Sequence, residues 1–388
     1  MHKLILGCIC CAAAAQAAPY LPASGQQVIE TVPRRGDPAQ QELRRLRSQL
    51  NAHPDDATLA ASLARRYITL ARSETEPRYL GYAQAALQPW WRQPAPPTDI
   101  RLLRATLLQS THQFAPALAD LRGVLAADPG NPQAWLTQAT VQTVQGDYAG
   151  ATASCARVAA LSIDLAAITC VANVGAVTGK AATSERLLDL TLERSANAPE
   201  ELKLWALTLL AEMAQRRGDT ALAERRFRQA LTMRPRDSYL QGAYADLLLD
   251  QGRADDVLAL LQGEERIDAL LLRRALALQQ SGQHNALQAD IRELAARFDA
   301  AGQRGDTVHQ REQARFELWL RRDVPAALAL ARKNWAVQKE PADMRIYLEA
   351  AAQARDAAAA KAVSDWIATH GTEDVTAARL LRQLKAGS

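Results

Sequence analysis

Residues that carry catalytic chemistry are scarce in this 388-residue chain. Its six histidines (His2, His53, His112, His284, His309, His370) are scattered, and no His-Glu-x-x-His pair occurs. Of five cysteines, Cys8, Cys10 and Cys11 crowd the first residues, leaving only Cys155 and Cys170 further along. The sequence therefore predicts no metal site, no cofactor and no catalytic residues, and the nucleophile elbow Gly-x-Ser-x-Gly is also missing. Aromatics make up only 5% of the chain, β-branched clusters are few, and proline is rare inside the apolar segments. These features leave helix as the default. No long apolar run follows the first residues, so no transmembrane segment is predicted beyond them. With 46 basic and 42 acidic residues intermixed, the charge is +4, which argues against a nucleic-acid surface. The stretch Gly175-Ala176-Val177-Thr178-Gly179-Lys180-Ala181 approaches a phosphate loop. Its glycine spacing is one residue short, Ala181 replaces the magnesium-binding hydroxyl, and no strand precedes it.

What is present begins with an export pattern. Lys3, an apolar run from Leu4 to Ala15 and the small-residue site Ala15-Gln16-Ala17 predict a signal peptide over 1–17. Export would place the protein in a periplasm or outside the cell and leave a net charge of +3. Leu6-Gly7-Cys8 resembles the end of a lipobox, but too few apolar residues precede it for a signal core. Residues 18–36 read as a mobile leader.

The rest of the chain is periodic. Thr98 to Pro132 and Leu204 to Ser238 are both 34 residues, with Gly146 and Gly218 at matching turns and Pro129 and Pro235 at matching ends. The unit from Pro132 carries Trp135, Ala139, Gly146, Tyr148 and Ala151. The unit from Leu204 carries Leu207, Leu210, Ala211, Gly218, Ala223, Phe227, Ala230 and Pro235. On these residues the chain resembles the tetratricopeptide repeat family. Weaker units begin near Ala57, Leu165, Asp268, Val308 and Pro341. The resemblance implies an all-α solenoid of helix-turn-helix repeats in a right-handed superhelix over residues 37–371, with a first helix at 37–52. A capping helix and tail follow at 372–388. Ala300 to Asp306 reads as an irregular connection, Trp90 and Trp91 as the end of a helix, and the basic clusters Arg216-Arg217 and Arg225-Arg226-Arg228 as solvated faces with local ion pairs.

Cys155 and Cys170 are equally spaced about a turn near Ser162-Ile163, so an antiparallel helix pair brings them level for a disulfide. In the resembled family the first helix of each unit lines a concave binding face. Carried onto this chain, the positions are Trp205, Thr208, Glu212 and Gln215, then Tyr239, Gly242, Asp246 and Leu249, with Ala166, Thr169, Asn173 and Ala176 in the preceding unit. Thr169 stands where a carboxylate clamp needs lysine, so recognition of a free C-terminal carboxylate through that clamp is not expected. The expected function is an exported scaffold binding a peptide or protein partner, in envelope assembly, polymer export or secretion. A structural oligomerising subunit and an enzyme with a dispersed site are the alternatives, and the oligomeric state is left open. N-terminal sequencing of the exported protein is expected to begin at Ala18; a start at lipid-modified Cys8 would refute a soluble exported form.

Overall fold

The computed structural model describes residues 24, 37–74, 76–161, 164–306 and 308–386. The predicted signal, all of the leader but Ser24, and the turn residues Ser162 and Ile163 lie outside these. Among the described residues the chain forms 21 α-helices and one π-helical stretch, with no strand. In chain order they are α1 (Pro38–Ala52), α2 (Ala57–Ser73), α3 (Arg78–Ala86), α4 (Gln88–Trp91), α5 (Thr98–Ser110), α6 (Phe114–Ala127), α7 (Pro132–Gln145) and α8 (Tyr148–Leu161). Then come α9 (Asp164–Gly175), α10 (Ala181–Arg194), α11 (Glu200–Arg217), α12 (Thr220–Met233), α13 (Ser238–Asp250), α14 (Ala254–Leu260), α15 (Asp268–Gln280) and α16 (His284–Gln303). The last are α17 (Gln310–Arg315), which runs into the π-helical Phe316–Arg321, α18 (Val324–Val337), α19 (Pro341–Ala354), α20 (Ala357–His370) and α21 (Val375–Ala386). From α5 onward, consecutive helices pair as α5 with α6, α7 with α8, and so on, and the first helices also pack in a row from α5 through α7, α9, α11 and α13 to α15. The fold is an α-solenoid.

Local chemistry sets the boundaries. Gly146 and Gly218 end α7 and α11 at φ values of 80° and 86°, which a residue with a Cβ adopts only at a cost. Each is followed by an aspartate whose carboxylate caps the next helix: Asp147 accepts from the Gly150 amide at 2.9 Å and Asp219 from the Leu222 amide at 3.0 Å. Pro132 and Pro341 sit in the first turns of α7 and α19, where a missing amide hydrogen costs nothing. Between paired helices the contacts are small and fully buried, as at Ala139, Ala151, Ala211 and Ala223, which lets Phe227 fill the groove against Tyr244 of the next unit. No pair encloses its own core. The largest apolar cluster runs from Leu207 to Leu320 through four successive units.

Three expectations fail. The helix α16 continues to Gln303, so most of Ala300 to Asp306 is helical: Phe298 and Ala301 are buried and draw the extra turns onto the core. Trp90 and Trp91 form the separate short helix α4, because Pro89 cannot supply the amide that would extend α3. In the basic clusters Arg226 is buried, not solvated, and binds Glu185 of the preceding unit at 2.6 Å, and Arg216 buries Nε and Nη2 without an ion pair among the described residues.

The C-terminal units do not trail away from the stack. They return to the row of turns that ends α7, α9, α11 and α13. The Lys339 amide donates to the Val144 carbonyl at 2.7 Å, and the Thr372 hydroxyl to that of Val177 at 2.9 Å. Val375 lies against Gly218, and Arg345 grips both oxygens of Asp250 at 2.6 and 2.7 Å. Trp366 covers Gly146 and meets Tyr148 edge-on.

Cys155 on α8 and Cys170 on α9 are joined in a disulfide with a Cα separation of 5.6 Å, within a cluster that includes Ala151 and Ala167. Closing this short loop is expected to stabilise the fold by about 3 kcal/mol. Thiol titration of the denatured, unreduced chain from Ala18 onward should find no free cysteine, and Cys155→Ala together with Cys170→Ala should lower the melting temperature by several degrees.

Candidate functional site

The return of the C-terminal units turns an open groove into a cavity of about 480 Å³ between the first helices of the middle repeats and α17, α19 and the approach to α21. Helix periodicity decides which side chains face it. Trp205, Thr208, Glu212 and Gln215 on α11, Tyr239, Gly242 and Asp246 on α13, and Asn173 on α9 all line it. Leu249 does not: it is buried in the core. Asp250, one residue on, lines the cavity in its place. Thr169 is fully buried and bonds the Leu165 carbonyl on its own helix. Ala166 is buried as well, whereas Val177, the residue after Ala176, lines the cavity.

The two aromatics differ in role. The Trp205 ring is half-buried against the cluster around the disulfide, with one side on the cavity. Tyr239 is 61% exposed, the largest value among the bulky apolar and aromatic side chains of the described residues that stand open. Only its hydroxyl is tied down, donating to Glu212 Oε1 at 2.6 Å. The negative charge of Glu212 pushes the Tyr239 hydroxyl well above the usual tyrosine value. Burial in turn raises the Glu212 carboxyl, against the pull of Arg216.

The opposite wall was not foreseen from the sequence. It presents Arg311, Arg315 and Arg345 with Glu312, Glu340 and Glu349, and Arg273 adds a further cation from α15. Arg273 and Arg315 converge on Asp246 at 2.6 and 2.8 Å. Burial opposes ionisation of Asp246, but the two guanidinium groups outweigh it and hold the carboxyl well below the usual range. Arg311 reaches Glu312, Glu340 and Asp343. The i, i+4 spacing of Arg311 and Arg315 on a first helix was the available signal, hidden because the unit near Val308 is one of the weaker ones in the chain.

The tetratricopeptide repeat family profile matches residues 172–295, the segment that supplies α11 and α13. No curated protein matches the chain. Among solved structures, a tetratricopeptide repeat protein from Parabacteroides merdae is 17% identical, covering 60% of this chain and 92% of its own, with a TM-score of 0.41. PilW, a type IV pilus biogenesis factor, is 18% identical over 52% of this chain and 94% of its own, with a TM-score of 0.43. The human IFIT1 dimer with m7Gppp-AAAA is 13% identical over 90% of this chain and 87% of its own, with a TM-score of 0.48.

Behind the wall, Asp343 is fully buried and accepts from Asn334 at 2.8 Å and from the Glu340 amide at 3.0 Å. Burial raises its carboxyl to about 6, with Arg311 opposing. A carboxyl raised in the folded state binds its proton there before it does when unfolded, so its contribution is greatest in acid and fades as pH rises from about 4 to about 6. Urea unfolding of Asp343→Asn is expected to lose that part of the decline between about pH 4 and 6 relative to the unsubstituted protein; parallel curves would show that Asp343 does not titrate there.

Proposed function

Because the chain is a tetratricopeptide repeat protein, we propose that it is an exported interaction scaffold that takes a peptide or protein segment against α9, α11 and α13. Tyr239 carries this reading. A large aromatic ring standing open on an inner wall whose other bulky groups are packed or paired is an anchor for a partner's apolar side chain. Its neighbours Thr208, Asn173 and Gln215 supply amide and hydroxyl groups that suit a peptide backbone. Export rests on the pattern in residues 1–17, and a periplasmic or extracellular scaffold fits envelope assembly, polymer export or secretion. Catalysis is not part of the proposal. Leu187 and Leu190 stand exposed one turn apart on α10, and that outer patch favours self-association as the second reading.

A photo-crosslinking residue placed at position 239 is expected to trap a partner in intact cells, while one at position 190 is not. Self-association through α10 would give the opposite pattern, with the adduct at twice the mass of the chain. Tyr239→Ala should weaken partner binding by about tenfold with little change in melting temperature, since an exposed ring contributes little to the fold. Trp205→Ala should lower the melting temperature, because its ring packs on the core. Unchanged binding in Tyr239→Ala would overturn the concave-face reading.

A further inference from the structure

Among the described residues, four of the five arginines on the cavity lining are paired with acids. Arg273 binds Asp246 and the Gly242 carbonyl, Arg311 binds Glu312 and Glu340, Arg315 binds Asp246, and Arg345 binds Asp250 and Glu349. Arg216, in the last turn of α11, buries its Nε and Nη2 atoms without an acceptor for either among the described residues. Those two atoms form one edge of the guanidinium, with parallel N–H bonds that match the two oxygens of a carboxylate. The same chain uses this edge elsewhere. Arg104 holds the two oxygens of Asp120 on it at 2.6 and 2.7 Å, and Arg45 holds those of Glu42 at 2.9 and 2.7 Å.

Two acids are near enough to influence Arg216, and both are otherwise engaged. Glu212, one turn back on α11, accepts from the Tyr239 hydroxyl. Asp374 caps α21 by accepting from the Ala377 amide at 2.9 Å. Arg216 thus stands at the end of the cavity that the returning C-terminal units seal, beside Tyr148, with the amides of Asn173 and Gln215 on the same lining. It is not among the positions that the family resemblance marks on α11.

We propose that the Nε–Nη2 edge of Arg216 is a carboxylate-binding subsite at the sealed end of the cavity, which receives one carboxylate of the bound partner. The inference rests on the concave-face reading above and specifies its ligand. Glu212 and Asp374 nearby make the surroundings unfavourable for a doubly charged phosphate, whereas a carboxylate brings one negative charge and the matching planar pair of oxygens. A cavity of about 480 Å³ holds a few residues, so the carboxylate belongs to a short acidic segment or a chain end.

Titration calorimetry with three pentapeptides tests the subsite. Acetyl-Ala-Ala-Glu-Ala-Ala-amide offers only a side-chain carboxylate, acetyl-penta-alanine with a free terminus only an α-carboxylate, and acetyl-Ala-Ala-Gln-Ala-Ala-amide neither. At least one of the first two is expected to bind about tenfold tighter than the third, and which one does so identifies the source. Arg216→Gln should abolish that preference, and Arg216→Lys should keep only part of it, having charge without the paired edge. The melting temperature of Arg216→Gln should change by no more than a few degrees, since only the attraction to Glu212 and Asp374, and no hydrogen bond of that edge, is lost. Equal binding of all three peptides, no binding of any at millimolar concentration, or a preference that survives Arg216→Gln would each overturn the subsite. A fall of more than about 5 °C in Arg216→Gln would do the same, by showing the guanidinium paired within the fold. Equal binding leaves the concave-face reading standing, whereas loss of that reading is seen separately, as unchanged binding in Tyr239→Ala.

Discussion

The architecture depends on the absence of a side chain at the turns of the middle repeats. A left-handed glycine ends the first helix of a unit, and the same missing Cβ leaves room for a second layer. At Gly146 a Cβ would fall 2.4 Å from the Trp366 ring, and at Gly179 it would fall 3.2 Å from the Gly371 carbonyl oxygen. These turns are therefore both punctuation within a repeat and the rail on which the C-terminal units seat. Gly179, which sits inside the stretch that mimics a phosphate loop, is accounted for by this contact and by its φ of 72°.

The rail is polar where it meets solvent and aromatic where it does not. Backbone carbonyls left free at the C-terminal ends of α7 and α9 accept from Lys339 and Thr372, which satisfies groups that a helix end otherwise leaves to water. Trp366, Tyr148, Trp335 and the Lys339 ammonium, which lies 4.8 Å from the Trp335 ring centre, close the remaining gap. Around the cavity itself, arginine and carboxylate groups alternate between the two walls. Pairs of this kind add little net stability once desolvation is counted, but breaking one strands a charge. Asp246, held between Arg273 of the adjacent repeat and Arg315 of the returning unit, thus fixes the register of closure more than its strength.

Local spacing made the repeat legible, and distance in the chain hid its closure. The 34-residue interval, the Gly-Asp turns and the small residues at Ala139, Ala151, Ala211 and Ala223 are short-range features, and helices α5, α7 and α13 start at the expected Thr98, Pro132 and Ser238. The face of α11 was legible for the same reason. Contacts between residues 226, 195 or 95 positions apart, such as Gln338 with His112, Thr372 with Val177 and Arg345 with Asp250, follow from the accumulated rotation of many units. No window of sequence contains that rotation. Leu249 was misplaced because a family position was carried over to the last turn of α13, where the core takes Leu249 and the cavity takes Asp250. Arg226 was misplaced because its partner Glu185 lies a repeat away.

Closure changes what the concave face can do. An open solenoid offers its groove to a long extended chain and gathers affinity from many weak contacts along it. Here α17, α19 and the start of α21 occupy the other side of that groove, so a partner meets an enclosure with charged walls, one open ring and one unmatched guanidinium. Enclosure strengthens each polar contact by excluding water, and it also limits the length of what enters. A segment too long for the cavity would have to separate Arg345 from Asp250 and Arg315 from Asp246, leaving Asp250 and Arg315 without partners. The cost of that separation favours a compact partner segment over a long one, and it places selectivity in the small number of groups that the fold leaves unpaired.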